Sequence, residues 1–251
     1  MKNHFITPYF GNKREEVVKI YSMIDMDKYD TIVEPFCGSS AISYYIWTKN
    51  KDRNIKYILN DNNKNLIELY KICMDEEKTI QFQNEVNELK ARTDSKEKYL
   101  EVKKKSENDP LSYFYINKIY NIRPGLYTDK KQSVDILNHP IIDFLRNADI
   151  EILNTDGVEV YNEYKSDPKS LIFLDPPYMM TNNAWYKNPS MLIYDFLNNN
   201  DIDKEKAKIL ICVNNTWIMN LLFKGKKTLI YDKIYQTTKN NIKHIVYENN
   251  I

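Results

Sequence analysis

The sequence predicts an α/β fold: an open, mostly parallel sheet with an antiparallel pair at one edge and an inserted segment without strands. Three observations carry this. Apolar runs that end in an acid recur at 31–34, 55–61 and 150–156, the first two leading into helical patterns. The run Leu171-Ile172-Phe173-Leu174 is apolar at every position, as a parallel strand covered on both faces must be. Two late stretches, 227–235 and 244–248, alternate in strand fashion and read as the antiparallel pair.

A chain of 251 residues holds one large α/β domain, or one domain with a modest insertion, and can bury a sizeable core. Its 36 basic and 35 acidic residues leave a net charge of +1, so any surface for nucleic acid must come from local clustering. Cys37, Cys73 and Cys212 are far apart and form no CxxC pair, which argues against a disulfide framework or zinc site and for a reducing compartment. His4, His139 and His244 are scattered, so no metal site is expected. No run of about 18 apolar residues is present, and the first residues lack the apolar core of a signal peptide.

Taken in order, the chain opens with Pro8-Tyr9-Phe10-Gly11-Asn12-Lys13-Arg14 before a helical pattern over 15–23. A cation at a helix start has the wrong sign for the helix dipole. Either these are solvated charges on an aromatic-rich turn, or Lys13 has another partner, for which a ligand carboxylate is the candidate. Next, a strand reaching Glu34, a turn through Phe36, Cys37, Gly38 and Ser39, and a helix from Ala41 make a strand–loop–helix unit of Rossmann-like type. Gly38 lets the backbone come close to a ligand. The loop has fewer glycines than a phosphate cradle, and the alternative is a plain βα turn. Asp61 ends the second strand 27 positions after Glu34, within the range for an acid that binds a ribose diol. It could equally cap the helix expected over 62–73.

From 75 to 135 the character changes, and this interval is read as an insertion into a catalytic domain formed by 1–74 and 136–251. Between Lys90 and Lys105 seven residues are basic and three acidic, the pattern of a solvated helix face. Residues 112–131 mix aromatics, asparagines and cations, the side chains of a stacking and phosphate-contacting surface. Asp156 then ends a third strand, with an Asp-Gly turn as the alternative. The strand over 171–174 stops at Asp175, because Pro176 and Pro177 cannot continue a ladder. Asp175, the Pro176 carbonyl and the Tyr178 ring are thereby presented at the carboxyl edge, where open α/β sheets bind ligands. A loop over 179–189, a helix over 190–198, a buried strand over 209–215 and a helix to Phe223 complete the pattern.

Asp175-Pro176-Pro177-Tyr178 after a buried strand resembles the catalytic motif of S-adenosylmethionine-dependent amino methyltransferases acting on nucleic-acid bases. The motif order resembles the Dam-type DNA adenine methylases: Tyr9-x-Gly11-x-Lys13, Glu34-Pro35-Phe36-Cys37-Gly38, Asn60-Asp61-x-Asn63, the strand end at Asp156, and Asp-Pro-Pro-Tyr. Ser39-Ser40 stands where many relatives have a further glycine. The resemblance implies a Rossmann-like methyltransferase fold with an inserted target-recognition subdomain. It implies S-adenosyl-L-methionine held by Tyr9, Gly11, Lys13, Glu34, Phe36, Cys37, Gly38, Ser39, Asp61, Asn62, Asp156 and Asp175. Catalysis falls to Asp175, Pro176, Pro177 and Tyr178, and DNA contact to Arg123, Gly125, Tyr127 and Lys130. The Phe-Asn-x-Pro ending usual in the family's recognition stretch is missing, so the target sequence does not transfer. Double-stranded DNA is the implied partner, with a restriction endonuclease as a further one and a monomer or homodimer left open. The implied setting is intracellular, in a bacterium or in a phage- or virus-infected cell.

The residues suit that chemistry. An exocyclic amine on a base is a poor nucleophile because its lone pair is delocalised into the ring. Acceptors around its N–H bonds, here the Asp175 carboxylate and the Pro176 carbonyl, draw the nitrogen towards tetrahedral geometry. Positioning and fixed dipoles then supply most of the rate. Tyr178 offers a stacking face, and a base inside a duplex must be flipped out to reach it. Cys37 is not read as an attacking thiol. The alternatives are a cytosine amino group or RNA as target, or a non-catalytic nucleic-acid-binding subunit that kept the fold. A methylase of protein glutamine would more often carry Asn at position 175.

Overall fold

A computed structural model describes residues 13–119, 133–176, 196, 201–224, 228–234 and 241–249. Contacts divide the chain into two compact units, Lys13–Asn62 with Asp149–Ile251, and Asn63–Ala148.

The first unit is built on a seven-stranded sheet in the order β3-β2-β1-β4-β5-β7-β6. The strands are β1 (Thr31–Glu34), β2 (Lys56–Asn60), β3 (Asp149–Leu153), β4 (Ser170–Leu174), β5 (Lys208–Asn214), β6 (Thr228–Ile234) and β7 (Asn241–Glu248). The first five pair in parallel, while β7 runs antiparallel to both β5 and β6. Chain order reverses between β1 and β4, whose register sets Val33 opposite Ile172. Such a switch point opens a crevice at the carboxyl ends of the strands. All five residues of β4 are buried, as its unbroken apolar run requires, whereas the edge strand β3 is only partly covered. Val33, Ile58, Ile172, Leu174, Ile209 and Ile211 join Tyr161, Phe196, Phe223 and Tyr247 in one core. Burying each aliphatic side chain contributes roughly 1.5–3 kcal/mol. The Tyr161 ring meets Phe196 edge-on at 4.7 Å, and Phe223 stacks on Tyr247 at 4.0 Å.

At the amino end of β5 the chain is tied down by polar groups. Asn249 accepts from the Ile209 N–H at 2.9 Å and donates through Nδ2 to the carbonyls of Ile202 (3.1 Å) and Ala207 (2.9 Å). Lys208 donates to the Asn249 carbonyl at 3.0 Å and lies 3.3 Å from Glu248. Helices of this unit are α1 (Val17–Tyr21), α2 (Ala41–Lys49), α8 (Gly157–Tyr164) and α9 (Trp217–Leu222).

The second unit is helical among the described residues: α3 (Lys64–Met74), α4 (Glu76–Arg92), α5 (Lys96–Lys105), α6 (Pro110–Phe114) and α7 (Pro140–Asn147). Side-chain caps start four of them, from Asn63, Asp75, Ser95 and Asp109. The helix α3 packs on α4, α6 and α7, so the unit is wider than the interval 75–135 marked by composition. Its centre holds Tyr70, Phe82, Tyr99, Phe114 and Phe144. The Arg146 guanidinium donates to the Cys73 carbonyl at 3.2 Å and to Thr79 Oγ1 at 3.0 Å. Lys96, Lys98, Lys103, Lys104 and Lys105 are exposed on α5, the solvated face that the charge run predicts. After α6 the helix widens into a π turn over Tyr115–Ile119, the element that leads to the aromatic segment. No helix among the described residues is long and apolar enough to cross a membrane.

Candidate active site

The carboxyl ends of β1 and β4 carry the ionisable centre. Proline at 176 ends β4, so Asp175 stands one residue past the strand. Lys13, which precedes α1, points its ammonium at Asp175 and donates to Oδ2. The lysine is the partner-seeking cation that the sequence singles out, and its partner is the protein's own carboxylate. The pair is asymmetric: the Lys13 side chain is 3% exposed and that of Asp175 20%. Burial works against the Lys13 charge, but Asp175, by charge and hydrogen bond, together with Cys212 and Glu16 holds the ammonium above the ordinary lysine range.

Glu34 ends β1 beside this pair. It is buried, and Oε1 accepts from the Ser43 N–H in the first turn of α2 at 2.9 Å. Burial pushes its carboxyl up to about 7, against the opposing pull of the Ser43 hydrogen bonds; Asp175 raises it further and Lys13 lowers it. A buried glutamate at that value is poised to ionise when a cation arrives.

The loop between β1 and α2 follows directly on Glu34. Gly38 adopts φ 46° and Ser40 φ 51°. The second value explains the departure noted in the sequence: a serine occupies a left-handed position suited to glycine, at a cost of about 1–3 kcal/mol. The Ser40 N–H donates to the Cys37 carbonyl at 2.7 Å. The Gly38 N–H donates to Asp61 Oδ2 at 2.9 Å. Asp61 therefore ties the second strand end to this loop, while Asn63 caps α3 by accepting from the Leu66 N–H at 3.3 Å. Ser39 is buried beside Gly38, and Asn62 is exposed. Cys37 is buried, and burial together with the Asp61 and Glu34 charges holds its thiol well above the ordinary range, the reverse of an activated nucleophile.

Asp156, at the third strand end, accepts from the Val158 N–H at 2.8 Å and so starts α8. The residue after it, Gly157, shows why a glycine follows. A Cβ there would lie 2.6 Å from the Phe36 ring and 2.9 Å from the Pro35 carbonyl oxygen. Lys13, Glu34, Phe36, Cys37, Gly38, Ser39, Asp61, Asp156, Asp175 and Pro176 all belong to one unit. Tyr9, Gly11, Pro177, Tyr178, Arg123, Gly125, Tyr127 and Lys130 lie outside the described residues. Residues that the sequence reading gave no role are Ser43, Asn60, Asn154, Thr155 and Gly157. The available signal was an amide at the last position of a buried strand and a glycine directly after an acid.

Residues 9–138, just over half of the chain, match the family described as D12 class N6 adenine-specific DNA methyltransferase. The chain belongs to this family. No curated protein matches it. The sheet order, with its antiparallel edge pair, is the Rossmann-like methyltransferase fold. The D12 match takes in Lys13, the Glu34 loop, Asp61 and the helical unit as far as 138, and it ends before Asp175. The acid of the Asp-Pro-Pro-Tyr motif is therefore tied to the D12 region by structure, through the Lys13 ion pair.

Proposed function

We propose that this chain transfers a methyl group from S-adenosyl-L-methionine to the exocyclic amino group of an adenine flipped out of double-stranded DNA. The observation that carries the proposal is the Lys13–Asp175 ion pair at the switch point of the sheet. In that pair Asp175 is a carboxylate, and a carboxylate only accepts hydrogen bonds. It is thus suited to take one N–H of an amine and leave the nitrogen lone pair directed at an electrophile. Lys13 fixes its orientation from the more buried side of the pair.

The donor set fits the cofactor. Three strand ends in a row present Glu34, Asp61 and Asp156. Carboxylates suit a ligand that offers an ammonium, a ribose diol and an adenine amino group, and they would repel a phosphate. Gly38, without a Cβ and at positive φ, leaves its backbone open to close approach. Bound there, the cofactor supplies an electrophilic methyl group on a sulfonium. Glu34 offsets positive charge, Asp61 and Asp156 hold hydroxyl and amino groups, and Phe36 gives an apolar wall. Pro176 contributes its carbonyl and Tyr178 a stacking face for the base. The helical unit, with Arg123, Gly125, Tyr127 and Lys130 in the segment after its π turn, is assigned to DNA contact and target choice.

Incubation with methyl-labelled cofactor and duplex DNA, followed by digestion to nucleosides, tests this. Label on N6-methyladenosine is expected. Label on cytosine moves the target, and DNA binding without donor binding or transfer replaces the enzyme with a non-catalytic subunit.

A further inference from the structure

We infer that Asn60, the last residue of β2, is the positioning residue that sets the spacing of the donor-binding carboxylates; this rests on the proposed function above. The strand ladders cannot set that spacing. The β1–β2 ladder ends at Glu34 opposite Leu59, and the β2–β3 ladder at Asn60 opposite Leu153. The loop over 35–40 and the turn over 154–156 both lie beyond these last pairs. They also belong to strands that are not neighbours, since β2 separates β1 from β3.

The Asn60 side chain bridges the two. It is fully buried, and Nδ2 donates to the Pro35 carbonyl at 2.8 Å and to the Thr155 carbonyl at 3.1 Å. Oδ1 accepts from the Thr155 N–H at 2.9 Å. Both amide donors and the acceptor are thus used, and the partners fix which way the amide faces. Its own carbonyl accepts from the Cys37 N–H at 2.7 Å. The next residue repeats the arrangement: the Asp61 carbonyl accepts from Asn154 Nδ2 at 2.7 Å, while its carboxylate takes the Gly38 N–H. The tip of β2 therefore holds the loop that follows Glu34 on one side and the turn that carries Asp156 on the other. Phe36 packed on Gly157 closes the same contact through apolar atoms.

Only an amide fits this position. Aspartate would set acceptors against the carbonyls of Pro35 and Thr155, beside the Asp61 charge. Alanine would remove the partner of the Pro35 carbonyl and of both backbone groups of Thr155. Asn60 touches none of the reacting atoms on this reading; it acts through Asp61, Asp156 and the Gly38 loop.

The test is calorimetric titration of the full chain with S-adenosylmethionine and with S-adenosylhomocysteine, without DNA, for the wild type, Asn60→Asp and Asn154→Ala. Asn60→Asp should weaken both ligands about 10- to 100-fold and raise the donor KM in step, with kcat at saturating donor within about threefold of wild type. Affinity for a DNA duplex, read by fluorescence anisotropy, should not change. Asn154→Ala, which removes a single bond at the rim, should weaken donor binding about 3- to 10-fold and serves if the first variant does not fold. Unchanged donor affinity in a folded variant, or a kcat loss at unchanged KM, would overturn the inference. A wild-type chain that binds neither ligand would instead overturn the proposed function.

Discussion

Two buried lysine–carboxylate pairs lie at opposite ends of the sheet, and they are built differently. At the amino end of β5, the Lys208 and Glu248 side chains are 10% and 7% exposed, and the lysine also donates to the Asn249 carbonyl. At the carboxyl end of β4, Lys13 is 3% exposed but Asp175 is 20% exposed. The first pair is closed on itself and on the backbone of the chain end. In the second the lysine is the more buried partner and the carboxylate the more exposed one. A closed pair can hold the structure and little more. The second stands where the strand order reverses, the place at which open α/β sheets bind ligands.

The largest expected difference between the two ends is in turnover. Asp175→Ala should lower methyl transfer about 100- to 1000-fold, as loss of a preorganised group at the reacting atoms does. Donor binding measured by calorimetry should partly survive. Glu248→Gln should leave turnover within about threefold of wild type and lower only the melting temperature. Equal losses of turnover in the two variants would erase the distinction.

The lysines sharpen it. Lys13→Met removes the cation of the Asp175 pair, and Lys208→Met that of the Glu248 pair. Each should cost stability in urea unfolding, Lys208→Met the more because Glu248 is the more buried carboxylate. Only Lys13→Met should also reduce kcat. At the closed end Asn249→Ala should cost about 1–3 kcal/mol for the backbone groups it leaves unpaired, with no change in donor affinity.

A smaller effect should appear in pH dependence at the Asp175 end. Glu34 titrates near 7 in the folded chain, raised by burial above the ordinary 4.5. A folded-state value above the unfolded one means that the folded chain binds more protons between those limits. Stability should therefore fall as pH rises from about 4.5 through 7, by on the order of 3 kcal/mol without ligand. A cationic donor favours the ionised form, so its affinity should rise with pH through the same window. Both slopes should vanish in Glu34→Gln, as checked by unfolding and titration at stepped pH.

Much of this was legible in the sequence, because the strongest signals were local. The all-apolar run before two prolines located β4 and its end, and the acids at positions 34, 61 and 156 marked three strand ends. Lys13 betrayed itself by carrying the wrong charge for a helix start. Its partner lies 162 residues away, and sequence spacing gives no measure of such a distance. Asn60 was visible inside its motif but silent in role, since a strand-end amide reads the same whether it faces solvent or bridges two loops. The helix cap that stood as the alternative role of Asp61 falls to Asn63, whose side chain accepts from the Leu66 N–H, while the Asp61 carboxylate takes the Gly38 N–H. The width of the helical unit was hidden as well. The amphipathic pattern of α3 shows that one face is buried but not against which neighbour.

The most direct measurement is a crystal structure of the chain with S-adenosylhomocysteine. Density along the carboxyl ends of β1, β2 and β4, beside Glu34, Asp61 and Asp175, with space left next to Asp175 for a base, is the predicted result. Ligand bound away from the Lys13–Asp175 pair, or filling the room next to Asp175, would contradict the account.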